Sequence, residues 1–216
     1  MKEVNVLALS FEYPPAQVGG LGTAIKNIYK EIWKYSDKEK VYVSLAIPSN
    51  GLQNGFKNIY IEKFETSFYV SLSNRQEKVD VLLARDKENP LLPIHLICSN
   101  TLNNWKIYDN IHEKIAIFSR AIPMFLDHLY WNGFNINIIH SHDWHTGIAG
   151  AISKLKYKNL KFIFTIHRIA AEEAKYETNF LDYIKFYEFD DISKASYFSG
   201  YGYGKFSIEA LSANYA

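Results

Sequence analysis

A short apolar run, Val4–Leu9, leads through a loop to Gly19-Gly20 and then to apolar residues at helical spacing: Leu21, Ala24, Ile25, Ile28 and Ile32. A second apolar run at residues 41–47 ends the unit in Pro48-Ser49-Asn50-Gly51. Strand, glycine loop, helix, strand leaves few folds open. Runs that are apolar throughout are buried on both faces, as in parallel sheets covered by helices. The crossover between two such strands is right-handed. Pro14-Pro15 keeps the segment ahead of the glycines out of helix.

The rest of the chain extends this theme. Four short alternating pieces, at residues 59–64, 68–72, 79–84 and 94–98, predict a β-meander inserted on the core sheet. Ile111, Ile115, Phe118, Ile122, Phe125 and Leu129 predict a long amphipathic helix ending near Gly133. A strand at 136–139, a helix at 146–155 and a strand at 160–166 follow. Beyond Arg168 the Tyr- and Phe-rich sequence has little periodicity. The loop at residues 199–204, with three glycines, is expected to be mobile or ordered by a ligand, and the segment from Phe206 onward to be helical. Alternating strands and helices indicate an α/β class: a doubly wound, mainly parallel Rossmann-like sheet carrying a β-meander. At 216 residues with 48% apolar content, one domain over residues 1–216 is expected.

Charge and cysteine content remove several function classes. With 24 basic and 23 acidic residues, no electrostatic footprint for nucleic acid or an anionic membrane surface is present. Cys98 is the only cysteine, so neither a disulfide framework nor a cysteine metal cluster is available. Glu3 and Asn5 interrupt any signal-peptide pattern. No apolar run reaches the roughly 20 residues of a spanning helix. A cytoplasmic protein with no membrane partner is expected. The 16 Tyr, 14 Phe and 4 Trp are read mainly as core residues, with a minority able to stack on sugar rings.

In a doubly wound sheet, ligands bind beyond the carboxyl ends of the strands. Three features converge there: the loop at residues 17–21, the hexapeptide His140-Ser141-His142-Asp143-Trp144-His145, and His167. Gly19 and Gly20 would let a ligand approach the backbone, and free amides at a helix start favour an anion such as a diphosphate. The loop is neither the dinucleotide fingerprint, because Gly22 comes too soon, nor a P-loop, because no Lys-Ser/Thr pair follows. The histidine cluster admits three readings. His140, His142, Asp143 and His145 could ligate a metal, although Asp143 does not adjoin the last histidine as in metallo-β-lactamase-like hydrolases. Alternatively Asp143 caps the following helix while His140 and Trp144 are core residues. In the third reading His145, in the first helical turn, faces a ligand; for His142 the structural and ligand readings stay level. Asp109-Asn110 reads as a helix N-cap, and Arg120 either pairs with an acid or is solvated.

Taken together, these residues resemble the N-terminal domain of glycogen and starch synthases, retaining glucosyltransferases of the two-domain GT-B fold. The resemblance lies in Phe11-Glu12-Tyr13-Pro14, Val18-Gly19-Gly20-Leu21, Pro48-Ser49-Asn50-Gly51, Phe118-Ser119-Arg120-Ala121, the stretch from His140 to Gly147, and Thr165-Ile166-His167-Arg168. It is nearest to the shorter archaeal members and returns in the last six residues. It implies the N-terminal half of a GT-B fold, with the nucleotide-binding C-terminal domain lying outside this chain. It further implies that Gly19 and Gly20 contact the donor diphosphate, that His145 is the catalytic-site residue on the transferred glucose, and that His167 lies near the sugar path. Gln17, which stands where the family has a lysine, together with His142 and Asp109, completes the expected substrate-binding set, with no metal and no cofactor. The implied reaction moves glucose from ADP-glucose or UDP-glucose to the non-reducing end of an α-1,4-glucan. The alternatives are a GT-B enzyme with another acceptor, of the sucrose- or trehalose-forming type, and a non-catalytic glucan-binding module.

Overall fold

The computed structural model describes residues 3–72, 75–168, 175–176 and 206–216. Seven strands form one sheet in the order β3-β4-β5-β2-β1-β6-β7. They are β1 (Val4–Leu9), β2 (Val41–Pro48), β3 (Ile59–Leu72), β4 (Arg75–Asp86), β5 (Asn89–Cys98), β6 (Ile138–His142) and β7 (Lys161–Thr165). The five strands from β5 to β7 run parallel, and β3 and β4 are added antiparallel at the β5 edge. The helices are α1 (Leu21–Glu39), α2 (Ile111–Trp131), α3 (Trp144–Lys156) and α4 (Ile208–Tyr215), and β8 (Lys175–Tyr176) pairs with β9 (Phe206–Ser207).

Strand order fixes where a ligand can bind. The chain steps from β1 through α1 to β2, and later crosses back from β5 through α2 to β6, on the other side of β1. Both crossovers being right-handed, a reversal of direction puts α1 on one face and α2 and α3 on the other. The order reverses between β1 and β6, and the crevice lies beyond the carboxyl ends of these two strands.

The core explains the apolar runs. Leu7, Ala8, Leu9, Leu45, Ile94, Leu96 and Ile139 are inaccessible to solvent. Helix α2 is buried almost all round, from Ile115 to Leu129, and continues through Pro123. Helix α3 packs closely through two glycines. A Cβ at Gly147 would stand 1.9 Å from Ser212 Oγ of α4, and one at Gly150 would stand 2.2 Å from the Phe162 ring of β7.

The predicted class and meander are present, with three differences. The pieces at 59–64 and 68–72 are one strand, β3, whose register against β4 shifts between Ile61 and Lys63 and again between Phe64 and Thr66. Such bulges interrupt the alternation that a period-two reading follows. Strand β5 begins earlier than expected and includes Pro90 and Pro93. Its pairing to β2 starts only at Ile94, so both prolines sit where one neighbour is missing. Strand β6 runs on to His142, which places His140 and His142 inside the sheet. The loop at residues 199–204 lies outside the described residues, and the expected C-terminal helix is α4. Its N-cap, Ser207, accepts a bond from the Ala210 amide.

Candidate functional site

Beyond β1 and β6 lies a cavity of about 840 Å³. One wall is the glycine loop and the first turn of α1: Val18, Gly19, Gly20, Leu21 and Ala24. The opposite wall is Asp143, Trp144 and His145 at the start of α3, with His167 and Arg168 after β7. Tyr108, Ile111 and His112, at the entry to α2, close the side. The three sequence features thus meet in one space.

The glycines of this loop differ from those of α3. Gly20 has φ −80° and ψ −12°, ordinary helical values, and Gly19 is not among the positive-φ glycines. No atom of the described chain lies within 4 Å of where a Cβ would stand at either. Neither backbone conformation nor internal packing therefore calls for glycine here. What a missing side chain leaves is bare backbone facing the cavity.

Glu12, 1% exposed, anchors that loop. Its Oε2 accepts long hydrogen bonds from the amides of Gly19, at 3.4 Å, and Gly22, at 3.3 Å. The N-cap position of α1 is Gly20, which has no side chain to serve the orphan amides of the first turn, so a carboxylate from upstream complements them and the helix dipole. Tyr108 donates its hydroxyl to the other oxygen, Glu12 Oε1. Burial, followed by this contact with Glu12, pushes the Tyr108 phenol well above its usual range.

His145 is enclosed by rings. Phe11 stacks on it at 5.5 Å with a 24° tilt, Tyr108 lies at 5.2 Å and Trp144 at 4.2 Å. Asn50 Nδ2 donates to the Phe11 carbonyl at 2.9 Å and so ties the end of β2 to the residue beneath His145. Burial, and then the neighbouring His112, lower the His145 pKa to about 3. The ring is therefore neutral near neutral pH. Its Nδ1 is buried without a hydrogen-bond partner. A buried acceptor without a partner is less costly than a buried N–H without one, so the proton belongs on Nε2, where the ring can donate to a ligand oxygen.

Asp143 sits at the N-cap position of α3, as expected, but its side chain makes no capping bond. It adopts φ 59° and ψ 169°, a strained conformation for a non-glycine residue. Its Oδ1 accepts from the amides of His167, at 2.6 Å, and Arg168, at 3.3 Å, while its own amide donates to Thr165 O at 2.8 Å. The aspartate fastens the β7 loop to the start of α3 and so sets the distance between His167 and His145.

The other expected site residues are placed as follows. His142 is 1% exposed and hydrogen-bonded at both nitrogens, to Tyr29 and His167. His140 is likewise engaged at both, by Tyr29 and Thr165. Neither ring has a lone pair left for a metal, and among the described residues no group of three or more His, Cys, Asp or Glu is arranged to hold one. Gln17 turns back over α1, where its Oε1 accepts from Thr23 Oγ1 at 3.1 Å. Asp109 is outside the cavity lining, largely exposed and 3.4 Å from Lys106; Asn110, not Asp109, is the N-cap of α2. Arg120 is buried, and its Nη1 donates to the Ser71 carbonyl. Sequence reasoning gave no role to Glu12, Tyr108 or His112. A glutamate set between Phe11 and Tyr13 at the end of a buried strand was the available signal, since such a carboxylate must find donors.

The starch synthase catalytic domain family matches residues 5–213. Similar proteins include the glycogen synthase of Leptospira biflexa, 28% identical over 90% of this chain and 41% of that protein. The glycogen synthase of Lachnospira eligens is 32% identical over 76% of this chain and 34% of its own length. That of Mycoplasma mobile is 26% identical over 84% and 38%. The chain thus spans well under half the length of these relatives. Among solved structures, the catalytic domain of starch synthase IV from Arabidopsis thaliana, bound to ADP and acarbose, superposes with a TM-score of 0.61 at 20% identity, covering 77% of this chain and 34% of that one. At that identity the likeness speaks for the fold alone. With the family match running through the glycine loop, the histidine hexapeptide and the β7 loop alike, the chain belongs to the starch synthase catalytic domain family.

Proposed function

We propose that this chain is the acceptor-side half of a glycosyltransferase. The enzyme would move glucose from ADP-glucose or UDP-glucose to the non-reducing end of an α-1,4-glucan, with retention. A second, nucleotide-binding domain would close over the cavity. The observation that carries the reading is the bare backbone of Gly19 and Gly20, which nothing inside the described chain requires. A ligand that must touch the main chain supplies the missing reason.

The chemistry follows from the walls. Loss of a nucleoside diphosphate from a sugar develops negative charge, and fixed dipoles stabilise it without reorganisation. Glu12 takes the Gly19 and Gly22 amides, and the other first-turn amides of α1, at its positive end, would serve the ligand anion. Among the described residues that line it, Arg168 is the one with a fixed positive charge; we assign it the cationic contact that Gln17 lacks. His145, neutral and held by three rings, would donate Nε2–H to a hydroxyl of the transferred glucose. Domain closure would exclude water, which protects the activated sugar from hydrolysis. Relatives named glycogen synthase support the glucan acceptor. Nucleotide-sugar chemistry and a lone, buried Cys98 are consistent with the cytoplasm. No helix among the described residues is long and apolar enough to cross a membrane.

Gly19→Ala separates ligand approach from folding. The added methyl meets no atom of the described chain, so the urea midpoint of unfolding is expected to hold or rise slightly. Affinity for nucleotide sugar and maltooligosaccharide, measured by calorimetry, is expected to fall by about tenfold or more, roughly 1.4 kcal/mol. A folded variant with unchanged affinity for both would overturn the reading.

A further inference from the structure

Behind the cavity wall runs an unbroken chain of hydrogen bonds that the proposed reaction does not use. Thr165 Oγ1 lies 2.8 Å from His140 Nε2. His140 Nδ1 lies 3.0 Å from the Tyr29 hydroxyl. The same hydroxyl lies 2.5 Å from His142 Nε2, and His142 Nδ1 lies 2.8 Å from His167 Nε2. His167 lines the cavity. Tyr29, 1% exposed in the middle of α1, reads in the sequence as ordinary core.

Each member can donate only once along this chain. A hydroxyl has one proton, and a neutral imidazole has one N–H and one acceptor nitrogen. Burial, followed by neighbouring imidazoles, lowers the His140 pKa to about 4 and the His142 pKa to about 2, so both rings are neutral near neutral pH. A hydroxyl can also accept twice, but Tyr29 accepting from both rings would leave its own buried proton without a partner; with Tyr29 donating to one ring, the bonds all run one way or all run the other. Distances choose between the two. O–H donors make shorter bonds than N–H donors, with modes near 2.7–2.8 Å against about 2.9–3.0 Å. Of the two Tyr29 contacts, the shorter, to His142, fits the O–H as donor, and the longer, 3.0 Å to His140, fits His140 N–H donating to Tyr29. The 2.8 Å contact fits Thr165 O–H donating to His140. All three agree on one direction, which passes from Thr165 through His140, Tyr29 and His142 to His167.

We infer that Tyr29 is a positioning residue: its single hydroxyl proton sets the direction of the chain and fixes His167 as the Nδ1-protonated tautomer. His167 then offers the cavity a hydrogen-bond donor instead of an acceptor, which suits a ligand oxygen. Only that last step rests on the cavity being the ligand site. The tautomers belong to the ligand-free chain, so their failure and failure of the proposed function are read separately.

The test is long-range ¹H–¹⁵N correlation on the chain carrying ring-¹⁵N histidine, near neutral pH, with His140, His142 and His167 assigned by single His→Gln replacements. The expected spectrum shows Nδ1–H at all three. Nε2–H at His142 or His167 would overturn the inference. In Tyr29→Phe, which keeps the ring and removes only the hydroxyl, His142 and His167 are expected to lose their single tautomer and populate Nε2–H. A purely space-filling Tyr29 would leave both at Nδ1–H, and that result would also overturn it. If Tyr29→Phe does not fold, the wild-type spectrum alone decides.

Discussion

Replacing Lys26 by methionine is expected to destabilise the fold by about 3 kcal/mol, with a fall in Tm of roughly 6–12 °C for a chain of this size. Lys26 Nζ lies 2.7 Å from Asp86 Oδ2 and 3.0 Å from Glu88 Oε2, and the Asp86 side chain is 1% exposed. Desolvation acts to lower the Lys26 pKa, but hydrogen bonds to Asp86 and Glu88 outweigh it and raise it. Methionine keeps the packing of the stem and removes the charge. Asp86 is then left with the Tyr13 hydroxyl at 2.9 Å and the Glu88 amide at 2.9 Å. Breaking a buried pair costs about 3–5 kcal/mol, and these two surviving bonds set the lower end. Urea unfolding measures the loss, and adding Asp86→Asn should recover most of it. A loss under about 1 kcal/mol would class the contact with ordinary surface ion pairs. The network matters to the site because it ties α1 and the β4–β5 hairpin to Tyr13, at the root of the glycine loop.

Mild acid should unfold this protein sooner than its balanced charge suggests. Burial lowers the pKa of His142 from 6.5 to about 2 and that of His145 from 6.5 to about 3. Between the folded and unfolded values the unfolded chain binds more protons, so stability rises with pH. The contribution is fully present above about 6.5 and is lost as pH falls toward the folded values. Each group costs up to about 1.4 kcal/mol per pH unit in that window. Together the two remove about 3 kcal/mol between pH 6.5 and 5. Urea unfolding across this range checks the slope. His140 and His112, both lowered by burial to about 4, titrate in the same window, so His142→Gln should flatten the slope by about a quarter; an unchanged slope in that variant would assign the acid sensitivity elsewhere.

Much of the architecture was legible because its signals are local. The apolar runs of β1 and β2 and the helical spacing in α1 and α2 need no partner to be recognised. Topology alone then brought the glycine loop, the histidine hexapeptide and His167 to one crevice. What escaped depends on partners distant in sequence. The two bulges of β3 are defined only against β4. Asp143 stands at the cap position that the sequence offers as one of its readings, yet its carboxylate answers amides 24 and 25 residues away. The family resemblance implies substrate contacts for Gln17 and Asp109, and the fold turns one back over Thr23 and leaves the other outside the cavity. Tyr29 is core by burial, and only the imidazoles of β6 give its hydroxyl a task.

The central claim is that the space between the glycine loop and His145 receives a sugar nucleotide and a glucan end. Amide chemical-shift mapping of the ¹⁵N-labelled chain, titrated to millimolar ADP-glucose or UDP-glucose and then a maltooligosaccharide, tests it most directly. The account expects the largest shifts at Gly19, Gly20, Tyr108, His145 and His167, which surround the cavity, with His145→Ala weakening them. Shifts centred on the meander strands β3 and β4, or no shifts with either ligand, would contradict it.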